Sequence, residues 1–235
     1  MRILGFDTAT RATTVALDGI AGEVLEARDD PPRGERPRHA ATLLPLADQL
    51  LERAGISFAD LELIAVGVGP GTFTGLRIGI ATARGLARAL SIPIVGVSTL
   101  QSLALTGRVS NGDAELDAVA PVLDARRGEV FAAAWPLARV EDRGEALLAP
   151  AALAPETLAE WLSELGRSVL AIGEGAVEFR AQLERSGAAI PDDRAKIHRV
   201  TAVAHCQLAK RLEPTPADRI VPEYLRPPDA KPSPT

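Results

Sequence analysis

The stretch that decides the fold is Gly69-Pro70-Gly71-Thr72-Phe73-Thr74-Gly75-Leu76-Arg77-Ile78-Gly79. It follows the apolar run 63–68, which has the length of a buried strand, and it leads into the proline-free segment 72–90, which predicts a long helix. Glycines recur in it at every fourth residue, and Ala83 and Ala87 continue the spacing, so small residues line one stripe of the helix. Each helical glycine costs about 1 kcal/mol relative to alanine, so the stripe needs a packing or functional reason.

Composition narrows the class of protein around this stretch. The chain has 235 residues, 46% of them hydrophobic, which is enough for one large domain or two ordinary ones. Cys206 is the only cysteine, which excludes a disulfide within the chain and fits a reducing, cytosolic compartment. Asp7 interrupts the apolar N-terminus too early for a signal peptide, and no apolar run is long enough to span a membrane. The net charge of -5 and the 3% of aromatic residues argue against a protein that binds nucleic acid without the help of a partner chain.

The pattern along the chain predicts two similar halves. The first half reads as strands at 2–7, 13–18, 22–28, 63–69 and 92–97, with helices at 42–54, 72–90 and from Ser98. The second half reads as strands at 117–124, 128–135, 146–149 and 168–172, with helices at 155–165, 175–186 and 201–212. The repeated order βββαβα predicts an α/β protein of two ribonuclease-H-like domains, each a mixed sheet with helices on both faces. We predict domains at 1–108 and 109–213, divided by the loop 106–113, and a Pro-rich tail without regular structure at 214–235.

Three motifs add to this element order. They are Leu4 to Thr10 at the end of the first strand, Arg38-His39 followed by Leu43-Leu44-Pro45, and Gly69 to Gly79 extended through 84–87. Together they resemble the TsaB (YeaZ) family, a bacterial branch of the fold shared by actin, sugar kinases and Hsp70. The segment 222–226 is similar to the family's terminal Tyr-Leu-Arg element. The resemblance covers most of the chain, is strongest over 1–105, and departs at Ala40-Ala41, where the family more often has Ser-Glu.

The resemblance implies a part in forming threonylcarbamoyladenosine beside the anticodon of tRNA. In that system a paralogue, TsaD, carries the transferase site, TsaB-like proteins pair with it, and an ATPase, TsaE, joins them. The chain would then be a required scaffold subunit that performs no catalysis and meets tRNA only through the complex. The resemblance implies no cofactor of its own. It leaves open whether ATP or ADP sits at the subunit junction and whether the isolated chain forms a homodimer.

Histidine spacing separates this chain from a metalloenzyme. TsaD-like paralogues hold a metal with H-x-x-x-H just after the strand that follows their glycine-rich helix, and Thr99 and Leu103 take those two positions here. His39, His198 and His205 are widely separated and form no metal-binding motif. We therefore expect no metal site, and a metallopeptidase is the least favoured alternative.

The segment Asp7-Thr8-Ala9-Thr10 lies where kinases and ATPases of the resembled fold place their first phosphate loop. Ala9 stands at the glycine position of that loop, which restricts the approach of a phosphate to the backbone. Asp7, Thr8 and Thr10 are therefore candidates for a vestigial phosphate loop, and the plain alternative is that they end a strand and satisfy a turn. A nucleotide-dependent phosphotransferase or ATPase working from Asp7 and Thr8 is the second functional hypothesis.

The glycine-striped helix is apolar on more than one side, which is typical of a helix buried on more than one side. We predict that it forms, with the 43–54 helix, an interface to a TsaD-type partner. The predicted interface residues are His39, Leu43, Leu50, Gly71, Thr72, Phe73, Gly75, Leu76, Arg77, Gly79, Ala83 and Arg84. An Arg or Leu in place of Gly75 or Gly79 is expected to prevent pairing and to leave the monomer folded. The alternative use of these glycines is a phosphate cradle, but the Lys-Ser/Thr pair of a P-loop is missing.

Overall fold

A computed structural model describes residues 1–20, 22–32, 34–110, 116–142 and 146–226. The first half contains β1 Ile3–Asp7, β2 Thr13–Ile20, β3 Glu23–Asp29, α1 His39–Ala54, a 3-10 turn Phe58–Asp60, β4 Leu63–Gly69, α2 Phe73–Leu90, β5 Ile94–Ser98 and α3 Thr99–Ser110. The predicted order of elements in this half is confirmed. Helix α1 begins one turn earlier than predicted and keeps Pro45 inside it.

The strands of the first half form one mixed sheet in the order β3-β2-β1-β4-β5. Strand β2 runs antiparallel to β1 and β3, whereas β4 runs parallel to β1 and β5. The carboxyl ends of β1 and β4 therefore meet at one edge of the sheet, since parallel strands end on the same side. The segment after β1 and the glycine turn after β4 are thereby brought together.

The second half contains β6 Ala118–Arg126, β7 Glu129–Pro136, β8 Leu148–Leu153, α4 Pro155–Glu164, β9 Val169–Ile172, α5 Glu174–Glu178, α6 Arg180–Leu183 and α7 Ala202–Ala209, with 3-10 turns Leu137–Arg139, Glu184–Ser186, Lys196–His198 and Ala217–Arg219. Its strands form a smaller sheet in the order β8-β7-β6-β9. The single helix predicted at 175–186 is wrong. Phe179, with φ -109° and ψ 29°, leaves the helical conformation and divides the segment into α5 and α6, while its side chain packs against the core beside the smaller sheet.

The elements stack in five layers. Helices α1 and α2 cover the outer face of the first sheet, with a core that contains Phe6, Leu50 and Ile80. Helices α3 and α7 fill the space between the two sheets, and α4 and α6 cover the far face of the second sheet. Each sheet thus carries helices on both faces, as predicted. The outer face of α1 and α2 has no further layer over it among the described residues.

The predicted domain boundary and the predicted tail both contain more regular structure than expected. Helix α3 continues to Ser110, so the predicted boundary loop 106–113 is helical up to that residue, and 111–113 lie outside the described residues. The division into 1–108 and 109–213 stays a prediction. The tail is more ordered than predicted, because Thr215 bridges to Ile94 and a 3-10 turn follows at Ala217–Arg219. Residues 227–235 of the predicted tail lie outside the described residues.

Candidate functional site

The glycine turn closes onto the segment that follows β1. The backbone N–H of Thr72 donates to the carbonyl of Ala9 at 2.7 Å, and the Thr8 hydroxyl donates to the carbonyl of Gly75 at 2.7 Å. Gly69 adopts φ +115°, a conformation that L side chains rarely take, where the chain leaves β4. These bonds fix the start of α2 against the first strand.

The glycine stripe packs against the chain itself. A side-chain carbon at Gly71 would overlap the Ala9 carbonyl, one at Gly75 would overlap the Thr8 carbonyl, and one at Gly79 would overlap the Thr8 hydroxyl. The prediction placed these glycines on a surface covered by a partner. The structure corrects it: Gly75 and Gly79 are buried beneath the segment after β1, because the close approach that glycine permits is used inside the chain.

Burial divides the predicted interface residues into two groups. His39, Leu43, Leu50, Gly75, Leu76, Gly79 and Ala83 are buried within the chain. Phe73 and Arg77 are exposed, and Gly71, Thr72 and Arg84 are half-buried. A partner can therefore touch only the second group directly. The helical pattern showed which residues share a face of α2, but it did not show which face meets the sheet.

The solvent-facing surface of α1 and α2, which we call the outer helix face, combines small and apolar residues with charged ones. Its members on α1 are Ala40, Ala41, Leu44, Pro45, Asp48, Gln49, Glu52 and Arg53. Its members on α2 are Thr74, Arg77, Ile78, Ala81, Arg84, Gly85 and Arg88. Leu44 is 44% exposed, and a side-chain carbon at Gly85 would find no atom within 4 Å. A second backbone could approach this face closely.

Charges are unevenly spread over the outer helix face. The α2 side carries Arg77, Arg84 and Arg88, while the α1 side carries Asp48, Glu52 and Arg53. Arg84 and Arg88 have no ion-pair partner within the part of the chain that the structure describes. The face is thus basic on its α2 side and of mixed charge on its α1 side, and a surface complementary to the α2 side would be acidic.

A buried polar network lies behind β1. Asp7 is 1% exposed, and its carboxylate accepts hydrogen bonds from the backbone N–H of Ala9 at 2.7 Å and from the Thr99 hydroxyl at 2.8 Å. His205 Nε2 lies 3.0 Å from Asp7 Oδ2, although its N–H is not aligned for a hydrogen bond. Burial raises the pKa of Asp7, but the neighbouring His205 and the two hydrogen bonds outweigh it and hold that pKa below its ordinary value. Gly67 makes room for the pair, since a side-chain carbon there would overlap the Asp7 carboxylate.

The network continues from His205 to α3. His205 Nδ1 lies 2.8 Å from the Ser102 hydroxyl, so Ser102, His205 and Asp7 follow one another like a nucleophile, a base and an acid. Ser102 and His205 are both 0% exposed, however, and no substrate can reach the hydroxyl. Thr99 and Leu103, which stand where the paralogues carry metal-binding histidines, are also 0% exposed. The arrangement can therefore hold α3 and α7 on the first sheet, but it cannot attack a bound molecule.

The predicted phosphate-loop residues separate in the structure. The side chains of Asp7 and Thr8 are buried and bonded within the chain. Thr10 lines a cleft of about 580 Å³ between the two sheets, together with Arg11, Leu123 and His198. Only Thr10 of the three thus has side-chain access to the cleft, and a nucleotide there stays a prediction.

His39 and His198 serve the packing of their loops. His39 is buried and lies 2.9 Å from the Thr13 hydroxyl through Nδ1; burial lowers its pKa, while Asp7 and Asp29 oppose that change. His198 Nδ1 accepts from the backbone N–H of Gly173 at 3.1 Å.

Among the described residues, no group of three His, Cys, Asp or Glu side chains could hold a metal ion. None of the described helices is long and apolar enough to cross a bilayer.

Comparison with known proteins gives the family. The chain is 32% identical over 232 residues to the tRNA threonylcarbamoyladenosine biosynthesis protein TsaB of Escherichia coli. The alignment covers 96% of this chain and 95% of that protein. The chain belongs to the TsaB (YeaZ) family. A family model described as "TsaD: tRNA N6-adenosine threonylcarbamoyltransferase" also matches residues 31–225, so the TsaB-family chain is related to that transferase family too.

Solved structures agree with this assignment. YeaZ from Pseudomonas aeruginosa superposes with a TM-score of 0.77 and 33% identity, over 95% of this TsaB-family chain and 99% of that one. A ROK hexokinase from Thermus thermophilus superposes with a TM-score of 0.51 and 11% identity, over 88% and 98% of the two chains. That second likeness shows the fold alone. The predicted class, two ribonuclease-H-like domains of the actin and sugar-kinase type, is confirmed.

Sequence reasoning missed two features of the site. It treated His205 as an isolated histidine, although a single imidazole within the apolar helix Ala202–Ala209 signals a buried polar partner. It also left Tyr224 out of the candidate residues. Its ring stacks on Phe73 with centroids 5.5 Å apart, and this contact joins positions that the sequence keeps far apart.

Proposed function

We propose that this chain is a non-catalytic subunit in the formation of threonylcarbamoyladenosine on tRNA, and that it pairs with a TsaD-type transferase through the outer helix face. The observation that carries the proposal is this uncovered face, in which small and apolar residues lie among charged ones, on a chain whose relative in Escherichia coli is named for that biosynthesis. An apolar centre with a polar rim is typical of a surface that binds another protein.

The shape and charge of the outer helix face support a related protein as partner. Gly85 and Ala81 let a second helix approach closely on α2, and Leu44 offers an apolar contact on α1. A paralogue with the same two helices could pair about a pseudo-twofold axis, with α1 of one chain against α2 of the other. The arginines of α2 would then face α1 of the partner, where acidic side chains would complement them.

The buried network supports a role without catalysis. A nucleophile and its base must reach a bound substrate, whereas Ser102 and His205 are sealed between α3, α7 and the first sheet. The transferase site then belongs to the TsaD-type partner, and a TsaE-type ATPase and tRNA join through the assembled complex. ATP or ADP, where bound, would lie at the junction of the subunits. Self-association of the isolated chain through the same face is a competing outcome of the test below.

Replacing Ala81 by arginine is expected to abolish the pairing. The long charged side chain would stand at the centre of the outer helix face and keep a second helix away, while the exposed site tolerates it within the monomer. We expect the Kd for the TsaD-type protein of the same organism to rise by about a hundredfold or more, a loss typical of a central contact. Isothermal titration calorimetry measures the change.

The matched control is Ala181→Arg, which places the same side chain on an exposed alanine of α6 in the second half. Its Kd should equal that of the wild type, and both variants should keep the wild-type melting temperature. Equal binding by wild type and Ala81→Arg would remove the outer helix face from the interface. Absence of binding by the wild type would remove the pairing itself.

A further inference from the structure

The segment 215–226, which we call the C-terminal strap, connects the two halves of the molecule. Thr215 pairs with Ile94 at the edge of the first sheet, and Ile220 is 4% exposed in the core beneath α2. The backbone N–H of Glu223 donates to the carbonyl of Val68 at 2.7 Å. Arg226 then reaches the second sheet, where its guanidinium donates to the Glu129 carboxylate at 2.6 Å.

The strap passes directly over the glycine turn. A side-chain carbon at Gly69 would come within 2.9 Å of the Glu223 carbonyl, so glycine at this position also makes room for the strap. Leu225 packs into the core between the two sheets. Tyr224 lies between these two anchors, and its backbone position is therefore fixed on both sides.

Tyr224 completes a surface cluster with the first turn of α2. Its ring stacks on Phe73 at an interplanar angle of 25°, its hydroxyl accepts from Arg77 Nε at 3.3 Å, and the Arg77 guanidinium lies 3.7 Å over the Phe73 ring. Phe73 and Tyr224 nevertheless stay 41% and 40% exposed. Within the described part of the chain, the other N–H groups of the Arg77 guanidinium have no hydrogen-bond partner.

We propose that Tyr224 makes the C-terminal strap part of the docking surface, and that the cluster of Phe73, Arg77 and Tyr224 receives a carboxylate-bearing helix of the TsaD-type partner. This inference rests on the proposed function. Arg77 belongs both to the cluster and to the outer helix face, so the two surfaces are continuous. A carboxylate can accept two parallel hydrogen bonds from a guanidinium whose plane is already held by a ring.

The composition of the cluster favours a protein over a nucleic acid base. Phe73 already has Arg77 over its ring and Tyr224 stacked on it, so little ring surface is left for base stacking. Tyrosine and arginine are enriched at the few interface positions that carry most of the binding energy. The stack also holds these side chains in place before binding, which reduces the entropy that association costs.

Truncating Tyr224 is the test, with the full chain and the TsaD-type protein of the same organism as the probe. Tyr224→Ala should raise the Kd by about tenfold or more, as loss of a central aromatic does. Tyr224→Phe keeps the stack and should stay within about threefold of the wild type, because it loses only one exposed hydrogen bond. Val221→Ala is the matched control on the same strap, 58% exposed and outside the cluster, and its Kd should be unchanged.

Each outcome decides the proposal. A Tyr224→Ala variant that keeps the wild-type melting temperature and the wild-type Kd overturns the inference and leaves the proposed function intact. No binding by the wild type overturns both. Loss of self-association alone in Tyr224→Ala, measured by sedimentation velocity, would assign the cluster to a second copy of this chain and would also overturn the inference.

Discussion

The Gly75→Ala variant is expected to lose about 3 kcal/mol of unfolding free energy, an overpacking cost at the upper end for one added carbon. The new methyl group would overlap the Thr8 carbonyl and lie 2.5 Å from the Thr72 hydroxyl, so the backbone after β1 has to move away from α2. That movement also stretches the hydrogen bond from the Thr8 hydroxyl to the Gly75 carbonyl. Urea unfolding followed by circular dichroism measures the loss.

Gly85→Ala is the matched control for this variant. It lies on the same helix, its side-chain carbon would meet nothing within 4 Å, and alanine is the better helix former by about 1 kcal/mol. We therefore expect Gly85→Ala to be as stable as the wild type or more so. Equal stability of Gly75→Ala and Gly85→Ala would show that the stripe does not pack on the segment after β1. The sequence alone led us to expect that a larger residue at Gly75 leaves the monomer folded. The structure leads us to expect instead that it destabilises the monomer.

The Asp7→Asn variant is expected to lose about 2 kcal/mol at neutral pH, within the range of about 1–3 kcal/mol for leaving a buried hydrogen-bonding group without its partner. The amide has nearly the same shape as the carboxylate, but it replaces one of the two buried oxygens that accept from Ala9 and Thr99 by an NH₂ group, which cannot accept. Urea unfolding at pH 7 measures the loss. Asp48→Asn, an exposed aspartate on α1, is the control and should change stability by less than about 0.5 kcal/mol.

The pH dependence of stability at the same carboxylate gives a second measurement. The folded-state pKa of Asp7 lies below its unfolded value, so the unfolded chain binds the proton more readily than the folded chain does. Its stabilising contribution is therefore complete above the unfolded pKa of about 3.9 and is lost as the pH falls through the lower, folded value. The difference between wild type and Asp7→Asn should shrink below that pH. A difference that stays constant down to pH 2 would contradict an ionised Asp7 that stabilises the fold.

The sequence predicted the glycine turn and the order of elements well, because strand, turn and helix signals there are local. The spacing of Gly75 and Gly79 indicated a close approach, and only the partner in that approach was wrong. The contact is with Thr8, 67 residues away from Gly75, and no local pattern reveals a contact over that separation. A helical wheel groups residues by face, but the sheet decides which face is buried.

Other parts of the site depended on long-range packing as well. The break at Phe179 coincides with the packing of its ring beside the second sheet, and neither neighbour in the sequence, Glu178 or Arg180, is a helix-breaking residue. The pairing of Asp7 with His205 and the stack of Tyr224 on Phe73 join the two ends of the chain. Each contact uses residue types that a sequence analysis can notice, but the fold alone brings them together.

The central claim is that the outer helix face receives the TsaD-type partner. Hydrogen–deuterium exchange of the chain, alone and with that partner, tests it most directly because it reports protection segment by segment. We expect slower exchange in 40–52 and 74–88 upon binding, and unchanged exchange in α4 and α6 of the second half. Protection confined to α4, α6 or the cleft lined by Thr10, with no change in 40–52 and 74–88, would contradict it.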